Sequence, residues 1–443
     1  MHRRIVITGF GLASPVGDPA ALAQALRDGH SAVARIARFD ASGFPSSIAG
    51  EVPEDFDPTE GTRKEQRRYI KKNLKVMARD IQLAVGAACR AVRDTGLPLG
   101  DPAADEPPLP SIDHARFGMI FGTSFIPTTL EDLAGPVQAS QVDGEVDLKD
   151  WGASGISQMF PLWLLKHLPN MHACHTGILW DAQGPSNSLT CSDAGALVAL
   201  DEAVRIIERG AADTMLVAGA ESRVNPLLLI RYSLLNRLAT ADVAPQAACR
   251  PFDAAPLGWV AAEAAVAAML ESYEVAEARG ARVYAEVLGT GVGTMTAGIN
   301  ACDAGGQGVA AAVRRALEAA GVAPTDLGAV WAHGTGLREQ DRSEAAGLAT
   351  ALGAAAERVP VTATKGVTGH VGAASGLADL AAAVHLAKDG LVPPILNCDQ
   401  ADPEVTLNLV TGEPAAMEGD LLLVTTNTIG GQTAAAVIQL NRP

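Results

Sequence analysis

Apolar and polar positions along the chain fall into two alternating patterns. Short runs rich in valine, isoleucine, leucine and alanine end in glycine, serine or threonine at residues 5–8, 117–121, 214–218, 264–270, 283–288, 329–332, 359–364, 421–426 and 435–440. Runs this continuous, bounded by turn residues, predict buried strands. Between many of them lie alanine-rich stretches, at 75–95, 194–209, 308–320 and 376–388, whose apolar residues recur at helical spacing. Strands and helices alternating at this spacing predict an α/β protein. Two segments break the pattern. Residues 98–110 are rich in proline and acidic residues and read as a surface loop, and residues 141–169 mix glycine, tryptophan and proline and read as an insertion or cap. The polar stretch 274–280 precedes a new strand and marks the internal boundary. It divides the chain into an N-terminal half, 1–280, with the insertion at about 141–170, and a C-terminal half, 281–443.

Composition agrees with two packed halves, since 443 residues are too many for one small domain. Aromatics are only 4% of the chain while apolar residues are 48%, which favours close helix-on-sheet packing through small side chains. A net charge of −16 argues against general nucleic-acid binding, which needs a basic face. Six cysteines, Cys89, Cys174, Cys191, Cys249, Cys302 and Cys398, form no C-x-x-C pair. They therefore support neither a zinc nor a redox motif and read as reduced core residues of a cytoplasmic protein. Arg3-Arg4 before residues 5–7 begins like a signal peptide, but the apolar run stops at Gly9 and then meets Pro15 and Gly17, so a first strand is expected instead. No apolar run approaches the length of a membrane span. Gly9-Phe10-Gly11 follows that strand, yet Ser14-Pro15-Val16-Gly17 does not complete a dinucleotide fingerprint.

Candidate chemistry gathers in three places. The segment from Gly184 to Ala196 is read as opening a helix whose apolar residues are Leu197, Leu200, Ala203, Ile206 and Ile207, with Gly210 as its stop. Asp193 then lies near the N-cap, where the helix dipole favours negative charge. By itself that fits an ordinary capping aspartate. In the C-terminal half, His333-Gly334-Thr335-Gly336 and Lys365-Gly366-Val367-Thr368-Gly369-His370 each place a histidine in a glycine-containing loop after a strand. Loops at strand ends are where α/β proteins build sites. Two such histidines with a lysine nearby suit binding of a carbonyl or carboxylate, because neutral imidazole can donate a hydrogen bond to a developing enolate oxygen.

These residues resemble the β-ketoacyl-ACP synthase (ketosynthase) family, especially its fatty-acid elongating members, over most of the chain from Ile5-Val6-Ile7-Thr8-Gly9 to the last strand. His333-Gly334-Thr335-Gly336 resembles the family's first histidine loop and Glu344 its acidic partner. Lys365 and Thr368-Gly369-His370 resemble its lysine and second histidine motif. Arg250-Pro251-Phe252-Asp253 and the basic stretch Arg63-Lys64-Glu65-Gln66-Arg67-Arg68, before the second helix, resemble two further signatures. The resemblance implies the thiolase fold, a duplicated five-layer α-β-α-β-α architecture, and a dimer with the site near the interface. In the family a cysteine at a helix N-terminus, where its thiol pKa is lowered, takes an acyl chain from an acyl carrier protein. The two histidines then bind the malonyl thioester for decarboxylation and condensation.

Alignment without a gap puts Asp193 at the cysteine position, and sliding Cys191 there needs a deletion before the helix and an insertion after it. Other departures are Pro256-Leu257-Gly258, Ala262-Glu263-Ala264, and a short late loop, Asn427-Thr428-Ile429-Gly430-Gly431-Gln432, with no phenylalanine. An acyl-aspartate would be a mixed anhydride, prone to hydrolysis, so productive acyl transfer to Asp193 is not expected. Buried against an apolar tunnel, its carboxyl should be pushed toward neutrality. Three readings follow: a chain-length-factor-type subunit paired with a homologous ketosynthase, a malonyl-ACP decarboxylase supplying a starter unit, or a condensing enzyme using Cys191 as nucleophile. The expected partners are an acyl carrier protein, met by Arg63, Lys64, Arg67 and Arg68, and a second subunit, identical or homologous. No metal or dissociable cofactor is expected, the phosphopantetheine arriving on the carrier protein; nor is a nucleic-acid or membrane partner.

Overall fold

The computed structural model describes residues 3–240 and 242–441. Ten main strands run in chain order as β1 (Ile5–Ala13), β2 (Phe117–Thr123), β3 (Ser186–Thr190), β4 (Thr214–Ser222), β5 (Ala261–Ser272), β6 (Ala285–Thr294), β7 (Ala329–Trp331), β8 (Val361–Thr362), β9 (Leu421–Asn427) and β10 (Gln432–Leu440). The first five lie in the order β3-β2-β4-β5-β1 and the last five in the order β8-β7-β9-β10-β6. Numbered within its half, each set reads 3-2-4-5-1. In each, the first three strands of that order are parallel and the last two join antiparallel. The halves are thus two copies of one topology, meeting where β1 pairs β6 at Val6–Glu286 and Ile7–Ala285.

Five layers follow from where the helices pack. Helices α1 (Lys64–Asn73), α2 (Arg79–Asp94), α3 (Gly195–Glu208), α4 (Pro226–Leu234), α5 (Gln307–Ala320), α6 (Arg338–Leu352) and α7 (Ser375–Leu386) are the ones that matter here. Leu197 and Leu200 of α3 and Leu377 and Leu380 of α7 share one core with Val217, Val266, Val424 and Ile438, so these helices lie between the sheets. Leu83 and Ala87 of α2 pack with Leu216 and Met269 on the outer face of one sheet. Val313 of α5 and Leu348 of α6 pack with Leu423 and Val437 on the outer face of the other. Successive residues of β4 and β10 therefore enter different cores, which is why their sequences are apolar without alternation.

The pseudo-repeat extends to the glycines. Register shifts occur between Ile7 and Gly9 in β1 and between Val287 and Gly289 in β6. A Cβ at Gly11 would stand 2.0 Å from the Ala87 carbonyl of α2, and one at Gly291 2.2 Å from the Ala312 carbonyl of α5. Gly9-Phe10-Gly11 is thus a strand bulge under a closely packed helix, with no nucleotide-binding role implied.

Several local expectations are corrected. The segment before Asp193 does not open the helix: Ser186–Thr190 is strand β3, a 3₁₀ turn spans Ser192–Ala194, and α3 begins at Gly195 with Ala194 as N-cap. The strand was hidden because its residues are polar and half exposed at the sheet edge. Lys64–Arg68 lies inside α1 rather than before a helix. Lys75 belongs to a 3₁₀ turn, α2 starting only at Arg79. Cys174 is exposed rather than a core residue, while all six cysteines are free thiols. The insertion holds a short hairpin, Gln141–Val142 with Glu145–Val146, followed by short helical turns. No helix among the described residues is long and apolar enough to cross a membrane.

Candidate active site

Three strand ends bring the candidate residues together. After β3 the chain turns sharply: Ser192 takes a left-handed conformation, φ 49°, which turns the chain into the one-turn helix carrying Asp193. Non-glycine residues held there are strained and cluster at functional sites. Gly122 of β2 permits the approach, since a Cβ there would meet the Gly195 carbonyl carbon at 2.1 Å. His333 follows β7, and His370 follows the turn Lys365–Thr368 beyond β8. The His370 backbone N–H donates to the Val260 carbonyl at 2.8 Å.

Asp193, His333 and His370 are all fully buried. Asp193 Oδ2 lies 3.5 Å from His370 Nε2 and 3.9 Å from His333 Nε2. The two imidazoles meet edge to face at a centroid distance of 5.2 Å, with Trp259 edge-on to His370 at 4.7 Å. Apart from the 3.5 Å approach of His370 Nε2 to Asp193, no ring nitrogen of either histidine has a hydrogen-bond partner among the described residues. Burial, then the charges of Lys365 and His370, lowers the His333 pKa well below the usual imidazole range, though Asp193 opposes this. Burial, then the charge of Arg223, lowers His370 to about 3. Both imidazoles are neutral at physiological pH, the state that can donate one hydrogen bond and accept another.

Glu344 holds the first histidine loop from beneath. Its two oxygens accept the N–H groups of His333 at 2.8 Å and Gly334 at 2.9 Å, and the Thr425 hydroxyl at 2.7 Å. Burial nevertheless raises its carboxyl to about 7, against those donors. Gly334 has φ 43°, and a Cβ there would meet Phe252, itself left-handed at φ 57°, at 2.7 Å. The Arg-Pro-Phe-Asp motif thus packs directly under the histidine loop. Lys365 Nζ donates to the His333 carbonyl and lies 3.9 Å from Asp379.

The residue that sequence reasoning missed is Arg223. Its Nη2 donates to Asp193 Oδ1, and its Nε donates to Glu221 Oε1 at 2.8 Å. Glu221 in turn accepts the Ala373 N–H at 2.9 Å. All three side chains are buried. Burial alone would raise the Asp193 carboxyl, but the Arg223 guanidinium outweighs it and the group is held well below the usual carboxylate range. Asp193 is therefore an ionised carboxylate, not the neutral group that burial against an apolar tunnel would give by itself. A signal was present: Glu221-Ser222-Arg223 sits at the end of an apolar strand, where α/β sheets place sites.

Cys191 stands apart. The side-chain group that joins both histidines within 4.8 Å is that of Asp193, and Cys191 is not in it. Burial raises the Cys191 thiol pKa, the opposite of nucleophile activation. Its carbonyl accepts the Thr428 hydroxyl, whose oxygen also accepts the Ala194 N–H at 3.1 Å. The late loop thereby closes on the start of α3. A cavity of about 660 Å³ leads to Asp193 and Arg223 past Phe125, Leu227, Ile230, Tyr232, Trp259 and Ile429. Outside its lining, Lys64, Arg67, Arg68, Lys71, Lys72 and Lys75 lie exposed along and just beyond α1. Arg63 caps that helix and reaches the Glu106 carbonyl at 3.4 Å.

Comparison with known proteins agrees with this geometry. The N-terminal domain of β-ketoacyl synthases matches residues 2–276, and the C-terminal domain matches residues 284–399. The chain is 32% identical to the actinorhodin polyketide putative β-ketoacyl synthase 1 of Streptomyces coelicolor, over 99% of this chain and 89% of that one. It is 30% identical to 3-oxoacyl-[acyl-carrier-protein] synthase 2 of Vibrio harveyi, over 99% of this chain and 98% of that one. Among solved structures, the ishigamide ketosynthase/chain length factor matches with a TM-score of 0.80 at 26% identity, covering 100% of both chains. Two histidines and a lysine set at strand ends of a doubled thiolase-type sheet, matched along nearly the whole length by these relatives, place the chain in the β-ketoacyl synthase family.

Proposed function

We propose that this chain is a non-condensing ketosynthase subunit of fatty acid or polyketide assembly, of the chain-length-factor type, which pairs with a cysteine-bearing ketosynthase and receives acyl-carrier-protein thioesters. The observation that carries this reading is the Asp193–Arg223 ion pair. On the ungapped alignment Asp193 stands where the family's nucleophile would be, and a guanidinium-bound carboxylate is a poor attacker of a thioester. The sheet supports a partner. Strand β3 is an outer strand with half-exposed polar residues, and Phe125, Leu162, Leu164 and Ile178 expose large apolar side chains. An open strand edge and exposed apolar side chains favour association. The relatives' names supply the thioester class, and the exposed basic residues of α1 suit an acidic carrier protein.

The second reading, malonyl-ACP decarboxylation, is favoured by the two neutral histidines with free ring nitrogens. It is opposed by charge, because the Asp193 carboxylate lies 3.5 Å from His370 Nε2 and would repel a malonyl carboxylate bound beside that histidine. Incubation of the purified protein with malonyl-carrier protein, followed by mass spectrometry of both, separates the readings. The subunit reading expects no acyl-enzyme, no acetyl-carrier protein, and co-purification with a cysteine-bearing homologue. Acetyl product lost in His333→Ala or His370→Ala establishes the decarboxylase instead. An acyl adduct that disappears in Cys191→Ala establishes the condensing alternative.

A further inference from the structure

We infer that Asp193, His333 and His370 form a binding site for one divalent transition-metal ion, zinc being the kind best matched. Asp193 Oδ2 is 3.5 and 3.9 Å from the two Nε2 atoms, and the three ligand atoms all lie within 4.8 Å of one another. Ligands at zinc bond lengths of about 2.0–2.1 Å in a tetrahedral set stand about 3.4 Å apart, so small side-chain shifts close the set. Two imidazoles and a carboxylate without a thiolate suit zinc, cobalt(II) or iron(II) rather than a harder ion.

Three further observations point to a cation. The histidines are fully buried, yet beyond the 3.5 Å approach of His370 Nε2 to Asp193 their ring nitrogens have no hydrogen-bond partner among the described residues, a state that calls for one. The carboxylate is already oriented as metal ligands are: Oδ1 is held by Arg223, and Arg223 by Glu221, leaving Oδ2 facing the imidazoles. Among the three ligands the Asp193 carboxylate alone is charged, so the set itself carries one negative charge for a cation to meet, while Arg223 on the other carboxylate oxygen and Lys365 on the His333 carbonyl weaken that attraction. Asp193, though neither histidine, also borders the 660 Å³ cavity, so an approaching ion would pass the carboxylate first. The site does not depend on the subunit reading, since a protein that never turns over can still hold the ion.

The test uses the full-length protein, treated with chelator and dialysed, and titrated with cobalt chloride while the visible spectrum is recorded. The expected result is one equivalent bound, with d–d bands of low-coordinate cobalt that zinc chloride displaces. His370→Ala and Asp193→Asn should each weaken binding beyond the roughly 10–100-fold that loss of a second-shell partner causes. Anomalous diffraction of zinc-soaked wild-type crystals covers the case of an unfolded variant, with a peak expected between the three side chains. No bands and no peak in the folded wild type overturn the inference. So do binding unchanged by both substitutions and a thiolate-to-cobalt charge-transfer band, which would place the ion on a cysteine.

Discussion

Replacing Arg223 by methionine tests the central electrostatic argument. Methionine approximates the length of the side chain but removes the cation that, among the described residues, pairs with both Asp193 and Glu221. Two buried carboxylates would then face each other without compensation. Breaking a buried pair by removing one partner costs about 3–5 kcal/mol, because the remaining charge stays desolvated. The pH dependence gives a second signature. In the wild type the Asp193 pKa is depressed, so its contribution is fully present above the unfolded value near 4 and is lost only as pH falls toward the folded value. In Arg223→Met, burial acts with its main opponent gone and the pKa rises. The variant's stability should then increase as pH falls from 8 to 5, where Asp193 adds no slope to the wild type. Urea unfolding followed by tryptophan fluorescence and circular dichroism across that range measures both effects. Adding Asp193→Asn should recover part of the loss. An Arg223→Met protein within about 0.5 kcal/mol of wild type and with the same pH slope would refute the reasoning.

Other consequences are independent of that pair. Burial raises Glu344 to about 7, so the native state holds an extra proton between about 4.5 and 7, and this residue should lower stability as pH rises through that window, by about 3 kcal/mol in total; unfolding of Glu344→Gln against pH should lack that slope. Gly122→Ala drives a Cβ into the Gly195 carbonyl group, so it should push the Ser192–Ala194 turn away and cost about 1–3 kcal/mol in chemical denaturation. Reversing the exposed charges with Arg67→Glu and Arg68→Glu should weaken carrier-protein binding at least about tenfold, equivalent to 1.4 kcal/mol, in surface plasmon resonance at low salt, and the difference should shrink as salt rises.

What was legible in the chain was whatever short-range pattern encodes. Buried strands such as 214–218 and 435–440 announced themselves by apolar continuity, because each side chain enters one of two cores. The helices at 194–209 and 308–320 did so by their spacing, and the histidine loops by glycines at strand ends. Strand β3 was illegible because an edge strand with polar, half-exposed residues carries no apolar period. The duplication of the halves was legible only through the family resemblance and not in the residues themselves. It resides in strand order and in paired bulges at Gly9 and Gly289, which different side chains satisfy.

The sequence by itself determined the fold class, the two histidine loops and the unusual aspartate, since each is a local run of residues with a local physical meaning. Only the tertiary structure decided what the aspartate is. Asp193 and Arg223 are 30 positions apart and belong to different elements, the turn before α3 and the end of β4. The parallel arrangement of β3, β2 and β4 brings those ends together. Burial pulled the carboxyl toward neutrality, as its surroundings in sequence suggested, and a guanidinium supplied by a distant strand outweighed it. A charge state is a sum over neighbours in space, and those neighbours exist only once the sheet is built.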